Sequence, residues 1–255
     1  MTHTTVASLP VVGRRNVNAY LLRGRRAVLV DTGFPSSGPK ILAKMADLGV
    51  APADVAAIVV THGHVDHFGS AAELHRVTRA PIIAHRADIE AYAKGRSRQP
   101  FVPTGPIGQI FAKLPPAYQQ AEPFRPHIFV DGTMPLHDYG VDARILFTPG
   151  HTPGSISVLT DPGELIAADL IAGSFLGLLT RRPANPPFHE DRVQNLASLQ
   201  AMLALEPSVL YVGHGGPLDP ARVRRWTAKE QRRLRRLTSR NRLRTAADIH
   251  GAVSP

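Results

Sequence analysis

The chain has 255 residues, of which 43% are hydrophobic and 20% are charged, as is usual for a globular protein. It contains no run of about 18 apolar residues, which argues against a membrane-spanning helix, and no cysteine, which excludes disulfides and thiolate metal ligands. The net charge of +10 is localised. Residues 221–255 hold 11 Lys and Arg against two acidic residues, so this segment carries +9 and the rest of the chain +1.

Predicted strands and helices alternate along the chain, which is typical of an α/β layered architecture. Short apolar runs rich in Val, Leu and Ile predict strands at 18–24, 26–33, 55–62, 80–85, 127–132, 142–150, 155–161, 164–171 and 208–215. Apolar residues at helical spacing predict helices at 37–50, 69–79, 86–94 and 192–205. We expect one domain over residues 1–220, followed by a basic helical tail over 221–255.

Residues 95–126 interrupt this alternation, because the segment is dense in Pro and Gly. We predict an irregular excursion with one short helix near 106–113. A long irregular segment of this kind is often a binding loop or a lid at an active site. A surface insertion without function is the alternative, and the sequence does not decide between them.

The two ends of the chain predict the compartment and the partners. The N-terminal segment lacks a basic stretch followed by a long apolar core, so we expect a cytoplasmic protein without a membrane partner. In the tail, Val223, Trp226, Leu234 and Leu237 fall near one helical face. We expect this face to dock on the body with the arginines in solvent. Binding of nucleic acid phosphates by the tail is the less favoured alternative, and a homodimer is left open.

The segment VVTHGHVDHFGS, residues 59–70, concentrates imidazole and carboxylate groups at the end of a predicted buried strand. His62, His64, Asp66 and His67 lie within six positions. Isolated histidines usually satisfy hydrogen bonds, but such a group is typical of a metal site, because histidine is the commonest metal ligand. Neighbouring ligands on one loop can also bind two adjacent ions.

Three later segments add single candidate ligands in similar positions. His151 lies in LFTPGHTPGS after a predicted strand, Asp169 lies near the end of the strand LIAADLI, and His214 lies in LYVGHGG at a strand end. Each alone is a weak signal. Together they are informative, because binding sites in α/β sheets gather at the carboxyl ends of strands.

Taken in order, these segments resemble the motifs of the metallo-β-lactamase-fold superfamily of metallohydrolases. The matching motifs are VDTG at 30–33, THGHVDH at 61–67, TPGHTPGS at 148–155, AADL at 167–170 and GHGG at 213–216. The resemblance covers about residues 10–218. It implies a four-layer αββα sandwich, in which two mixed sheets face each other between outer helices and the metals lie at one edge.

The resemblance also implies the roles of these residues. It implies seven ligands in two sets: His62, His64 and His151 for a first ion, Asp66, His67 and His214 for a second, and Asp169 bridging both. Asp31 is implied to orient a metal-binding histidine. The implied cofactor is a pair of divalent ions, with Zn²⁺ preferred and Fe or Mn as alternatives.

These ligands predict a hydrolase. Two such ions can hold a hydroxide between them at neutral pH, which would attack the carbonyl of an ester, thioester or lactone. Asp66 is the predicted catalytic residue, because it can accept a hydrogen bond from the nucleophile and pass a proton to the leaving group. The absence of cysteine argues against β-lactamases with a cysteine ligand. The aspartate bridge resembles hydroxyacylglutathione hydrolases (glyoxalase II) and lactonases.

Alternatives remain open at this point. Persulfide dioxygenases share the motif but use one iron ion, nucleases and phosphodiesterases share the fold, and a purely structural metal would make the chain a binding protein. The predicted substrate is a small molecule flanked by 95–126 and 173–191. Phe175 and His189 are the predicted substrate contacts, with helix capping as the alternative for His189.

Overall fold

The computed structural model describes residues 3–114, 119–173 and 181–251, without the side chains of residues 107 and 238–251. The strands are β1 (Thr5–Val12), β2 (Val17–Arg23), β3 (Ala27–Val30), β4 (Val55–Val59), β5 (Ile82–His85), β6 (Ile128–Val130), β7 (Met134–Pro135), β8 (Ala143–Phe147), β9 (Ile156–Thr160), β10 (Glu164–Ala168) and β11 (Val209–Val212). The α-helices are α1 (Gly38–Asp47), α2 (Val65–Phe68), α3 (Ala71–Thr78), α4 (Ile89–Lys94), α5 (Pro106–Phe111), α6 (Arg192–Ala204) and α7 (Pro220–Gly251).

The strands form two mixed sheets. The first has the order β1-β2-β3-β4-β5-β6, with β1 to β3 antiparallel and β3 to β6 parallel. The second has the order β11-β10-β9-β8-β7, in which β10 and β11 are parallel and the other pairs antiparallel. The carboxyl ends of β3, β4 and β5 therefore meet at one edge of the first sheet.

Three apolar clusters show how the layers stack. Side chains that alternate along β2 point in opposite directions, because a strand has a period of two residues. Leu21 packs outward under α1, α3 and α4, whereas Leu22 packs inward against Ile145 of the second sheet. On the far side, Leu165 of β10 packs with Leu199 of α6. The order of layers is helix, sheet, sheet, helix, which confirms the predicted α/β fold class.

Two strands were absent from the prediction. β1 was missed because Pro10 interrupts its apolar run, and a proline in a predicted strand argues against a central position. β1 is an edge strand with a register shift between Pro10 and Val12, where a proline is tolerated. β7, Met134–Pro135, is too short to give a periodic signal.

As far as the structure describes it, the basic tail forms one helix, α7, which follows the body directly. Val223 is fully buried against the second sheet, and Trp226 packs against the same cluster. Leu237, by contrast, is 41% exposed, so the predicted apolar face does not dock along its whole length. Among the described residues, no helix combines the length and apolar character needed to cross a membrane.

Candidate metal centre

The candidate ligands lie just beyond the carboxyl ends of strands from both sheets. In the first sheet, β4 leads into the loop and short helix α2 that carry His62, His64, Asp66 and His67. The remaining three come from the second sheet: His151 from the β8–β9 loop, Asp169 directly after β10 and His214 shortly after β11. Facing the two sheets against each other therefore brings all seven side chains to one edge of the sandwich.

The donor atoms of these side chains form three overlapping groups, within each of which every pair lies within 4.8 Å. The groups are His62, His64 and His151; His62, His67 and Asp169; and Asp66, His67 and His214. Asp169 connects the two ends of the cluster, since its Oδ2 lies 3.6 Å from His151 Nε2 and 3.1 Å from His214 Nε2. We call these seven residues the donor cluster.

The hydrogen bonds at the back of the histidine rings fix which nitrogen faces the cluster. His151 Nδ1 donates to the carbonyl of Phe188 at 2.9 Å, and His214 Nδ1 donates to the carbonyl of Asn16 at 2.6 Å. A carbonyl can only accept, so each Nδ1 carries hydrogen, and each ring in its neutral form turns a lone pair at Nε2 toward the cluster. This preorganises both rings as ligands through Nε2.

The donor cluster has the features expected of residues that hold cations. His151 Nε2 lies 3.2 Å from His62 Nε2 and 2.9 Å from His64 Nδ1. Three ring nitrogens that could bind a metal through their lone pairs therefore face one another. His67 Nε2 and Asp169 Oδ1 are buried without a hydrogen-bond partner among the described residues. Buried polar atoms of this kind call for an ion or water. The donor set therefore fits divalent metal ions.

Burial and the nearby carboxylates shift the pKa values of these histidines in opposite directions. Burial lowers the pKa of His62 and His151 well below the ordinary value, which keeps both imidazoles neutral and able to ligate. Burial also opposes the charged form of His67, but Asp169, Asp31 and other nearby carboxylates outweigh it and raise that pKa to about 9. A metal ion at His67 must therefore displace a proton, and metal binding weakens as the pH falls.

Asp31 orients His67 from behind. It follows β3 and is buried, and its Oδ2 accepts the Nδ1 hydrogen of His67 at 2.7 Å. The same carboxylate accepts from the backbone N–H of Thr61 at 2.8 Å and from the Thr61 hydroxyl at 2.9 Å. Asp31 thus joins β3 to the loop after β4 and turns Nε2 of His67 into the cluster. This is the position expected for the role that the sequence predicted.

Replacing Asp31 by asparagine should weaken metal binding by about 10-fold to 100-fold. The asparagine NH₂ group would face hydrogen-bond donors of Thr61 and His67, which need an acceptor at that position. The affinity is measured by competition with a chromophoric chelator. Asp47→Asn, at the exposed end of α1, is the matched control and should leave the affinity unchanged. Equal affinity in the Asp31 variant and the native chain would remove the orienting role.

Tight backbone geometry aims Asp169 into the cluster. The preceding Ala168 has φ of 46°, in the left-handed region that non-glycine residues rarely adopt, and the pairing of β10 with β11 shifts register there. Gly213 lies against the same carboxylate: a Cβ at this position would meet Asp169 Oδ1 at 2.2 Å and His67 Cε1 at 2.5 Å. Position 213 therefore requires a glycine, because any side chain there would collide with Asp169 and His67.

The donor cluster opens into a cavity of about 280 Å³. Its described lining consists of Val12, Asn16, Val17, Phe34, His64, Asp66, Ser97, Phe101, Phe111, Leu114, His151, Asp169, Pro187, Phe188 and His214. Ser97, Phe101, Phe111 and Leu114 belong to the irregular segment 95–126, whose predicted helix is α5. This segment therefore lines the cavity, as a binding loop would.

Comparison with known proteins identifies the family. The sequence model described as the metallo-beta-lactamase superfamily matches residues 12–214, a range that includes every member of the donor cluster. The chain belongs to the metallo-beta-lactamase superfamily. The predicted family and the predicted enzyme class, a metal-dependent hydrolase, are thereby confirmed.

Individual members of the superfamily are similar over most of the chain. A probable metallo-hydrolase of Bacillus subtilis, YflN, is 29% identical over 204 residues, covering 75% of this chain and 76% of that protein. A hydroxyacylglutathione hydrolase of Anaeromyxobacter dehalogenans is 26% identical over 235 residues, covering 82% and 77%. The crystal structure of ST1585 from Sulfolobus tokodaii, an archaeal superfamily protein, superposes with a TM-score of 0.66 at 23% identity, covering 88% and 85% of the two chains. This last likeness supports the fold.

His189, one of the two predicted substrate contacts, does not line the cavity. His189 is 1% exposed and lies behind His151, with the two Nδ1 atoms 3.2 Å apart. Its Nε2 lies 3.4 Å from the amide nitrogen of Asn195, so the ring packs between a candidate ligand and α6 instead of lining the cavity. Phe175 lies outside the described residues.

Asp88 is a buried residue of the site that sequence reasoning missed. It follows β5 and has no exposed surface. Its carboxylate accepts hydrogen bonds from the Gly63 N–H at 2.8 Å, the Gly154 N–H at 3.1 Å and the Thr152 hydroxyl at 2.5 Å. Asp88 therefore ties the loop of His62 and His64 to the loop of His151. The only signal in the sequence was an aspartate in the segment RADIE, directly after a predicted strand, and such a pattern is common.

Proposed function

We propose that this member of the superfamily is a dinuclear metallohydrolase that cleaves a small ester, thioester or lactone. The observation that carries the proposal is the position of Asp169 between two donor sets at the bottom of an open cavity. His62, His64 and His151 would hold one ion, and Asp66, His67 and His214 the other, with Asp169 shared. Imidazole and carboxylate donors without thiolate favour Zn²⁺, with Fe and Mn as alternatives.

When bound, the metals supply Lewis acidity and lower the pKa of water, so that a nucleophile is available near neutral pH. The chain positions that chemistry. Asp66 is the most accessible carboxylate of the cluster, with its side chain 21% exposed, and it lines the cavity. Although burial raises its pKa, His67 and His214 outweigh that effect and keep it ionised. The Asp66 carboxylate would accept a hydrogen bond from the nucleophile and then help to move a proton to the leaving group.

Two observations support a carbonyl substrate of small size. The cavity is of a volume that suits a small molecule, and its described lining includes no lysine or arginine to bind the phosphates of a nucleic acid. One similar protein, that of Anaeromyxobacter dehalogenans, is named a hydroxyacylglutathione hydrolase, which makes thioesters a reasonable class to assay. The cytoplasmic location stays a prediction.

The test combines elemental analysis with a substrate panel. Protein purified without added metal is analysed for bound metals and assayed on an ester, a thioester, a lactone and a phosphodiester. We expect about two zinc ions per chain, hydrolysis of a carbonyl substrate, loss of activity after chelation and recovery on addition of zinc. One iron per chain with no hydrolysis would overturn the proposal in favour of the dioxygenase alternative, and selective cleavage of the phosphodiester would favour the nuclease alternative.

A further inference from the structure

Apolar side chains form the wall of the cavity beside the donor cluster. They include Val12, Phe34, Phe101, Phe111, Leu114 and Phe188. Phe101 connects this wall to the cluster, because its ring centroid lies 5.9 Å from that of His64 and 4.8 Å from that of Phe188. A group attached to the reacting carbon therefore meets hydrocarbon surface directly beside the candidate ligands.

Within the described lining, charged and titratable groups occur only in the donor cluster itself. Arg98, on the same segment as Phe101, is turned to another partner: its Nε donates to Glu190 at 2.8 Å and lies 3.7 Å from Asp88, so its charge is balanced. The internal segments outside the described residues, 115–118 and 174–180, contain no Lys, Arg, Asp or Glu in the sequence. The described wall therefore contains no cation that could pair with an anionic acyl group.

Two acceptor atoms of the lining are already engaged by the protein. Ser97 Oγ accepts the backbone N–H of Val65 at 2.9 Å, and the carbonyl of Asn16 accepts from His214 at 2.6 Å. A carboxylate placed against the apolar side chains of this wall would lose hydration and meet no cation there, which is unfavourable. An alkyl chain in the same position would be stabilised, because its apolar surface is removed from water.

We propose, on the basis of the proposed hydrolase function, that this cavity selects uncharged esters, thioesters or lactones with an apolar acyl chain and rejects acyl chains that carry a carboxylate. In the reaction, water adds to the carbonyl carbon, the bond from that carbon to the leaving oxygen or sulfur breaks, and the leaving group takes a proton. The products are an apolar carboxylate, a proton and an alcohol or thiol; a lactone gives a single hydroxycarboxylate and a proton.

The test compares p-nitrophenyl acetate, butyrate and hexanoate with the p-nitrophenyl monoester of adipic acid, using the metal-loaded full chain. We expect kcat/KM to rise about fourfold for each methylene that the wall removes from water. The adipate monoester matches the hexanoate in chain length but ends in a carboxylate, and its kcat/KM should be at least about tenfold lower. A flat chain-length profile, or a preference for the adipate monoester, would overturn the proposal.

A charge introduced into the wall tests the same inference by gain of function. Leu114 is 39% exposed, so Leu114→Lys can be accommodated without burying the ammonium group. This variant should raise the ratio of kcat/KM for adipate monoester over hexanoate by about fivefold, the upper end for a partly exposed ion pair. Leu205→Lys, at a 45% exposed position after α6, is the matched control and should leave the ratio unchanged. An unchanged ratio in the Leu114 variant would contradict the assignment of this wall to the acyl group.

A binding measurement separates failure of this inference from failure of the proposed function. If no ester is hydrolysed, the hydrolase proposal fails, but the wall can still be tested by calorimetry with methyl hexyl ketone and with its analogue ending in a carboxylate. Tighter binding of the neutral ketone supports the apolar wall. Equal or tighter binding of the anion overturns it.

Discussion

Replacing Asp169 by alanine should lower the bound metal below that of the native chain and reduce kcat/KM at least a hundredfold. A residue that only orients a ligand typically contributes 10-fold to 100-fold, so loss of a ligand shared by two ions should cost about that much or more. Burial opposes ionisation of Asp169, but His214 and His67 outweigh it and hold its pKa well below the ordinary value. The native carboxylate is thus charged and ready to bind cations across the neutral range.

The measurements are metal content after desalting and kcat/KM at several zinc concentrations. Asp161→Ala is the matched control, because Asp161 is an exposed aspartate of the same sheet whose contacts are surface ion pairs that contribute little. It should behave as the native chain does. If Asp169→Ala retained two metal ions and full activity, the bridging role would be wrong.

The alternation of apolar runs was sufficient to predict most of the two sheets, because strands buried on both faces leave a strong signal. Val28 and Leu29 of β3, for example, face opposite clusters and are both fully buried. The edge strands β1 and β7 could not be predicted in this way, since their burial depends on one neighbour and their sequences contain proline. The apolar face predicted for α7 includes Leu237, yet the structure places Val223 and Trp226 against the second sheet and leaves Leu237 41% exposed, because the extent of docking depends on tertiary packing.

The donor cluster could be predicted because its side chains are chemically unusual and lie at strand ends. Whether a histidine points into the cavity or away from it is a different question, since it depends on tertiary packing. His189 lies in a polar segment before a helix, where a side chain could reach the cavity. In the structure it packs behind His151 instead. Asp88 was missed for the converse reason, because a single aspartate after a strand has no distinctive pattern until its partners are known.

Asp88→Ala should destabilise the fold and the metal site together. The substitution leaves the N–H groups of Gly63 and Gly154 buried without their acceptor. It also removes one acceptor of the Thr152 hydroxyl, which keeps Ser155 Oγ at 3.0 Å. An unsatisfied buried donor costs about 1–3 kcal/mol, so we expect the free energy of unfolding to fall by about 3–5 kcal/mol. Zinc affinity should fall about 10-fold to 100-fold, because the two loops that carry His62, His64 and His151 are no longer tied.

Denaturant unfolding of the metal-free protein and chelator competition of the folded protein measure these two effects separately. Asp88→Asn keeps one oxygen acceptor and should lie between the native chain and the alanine variant in both. The matched control is Asp131→Ala, because Asp131 pairs with Arg86 in an exposed ion pair, 3.0 Å long, outside both loops. A stable Asp88→Ala protein with native zinc affinity would show that the loops hold their positions without Asp88. Lower stability with native zinc affinity would show that Asp88 supports the fold but does not position the ligands.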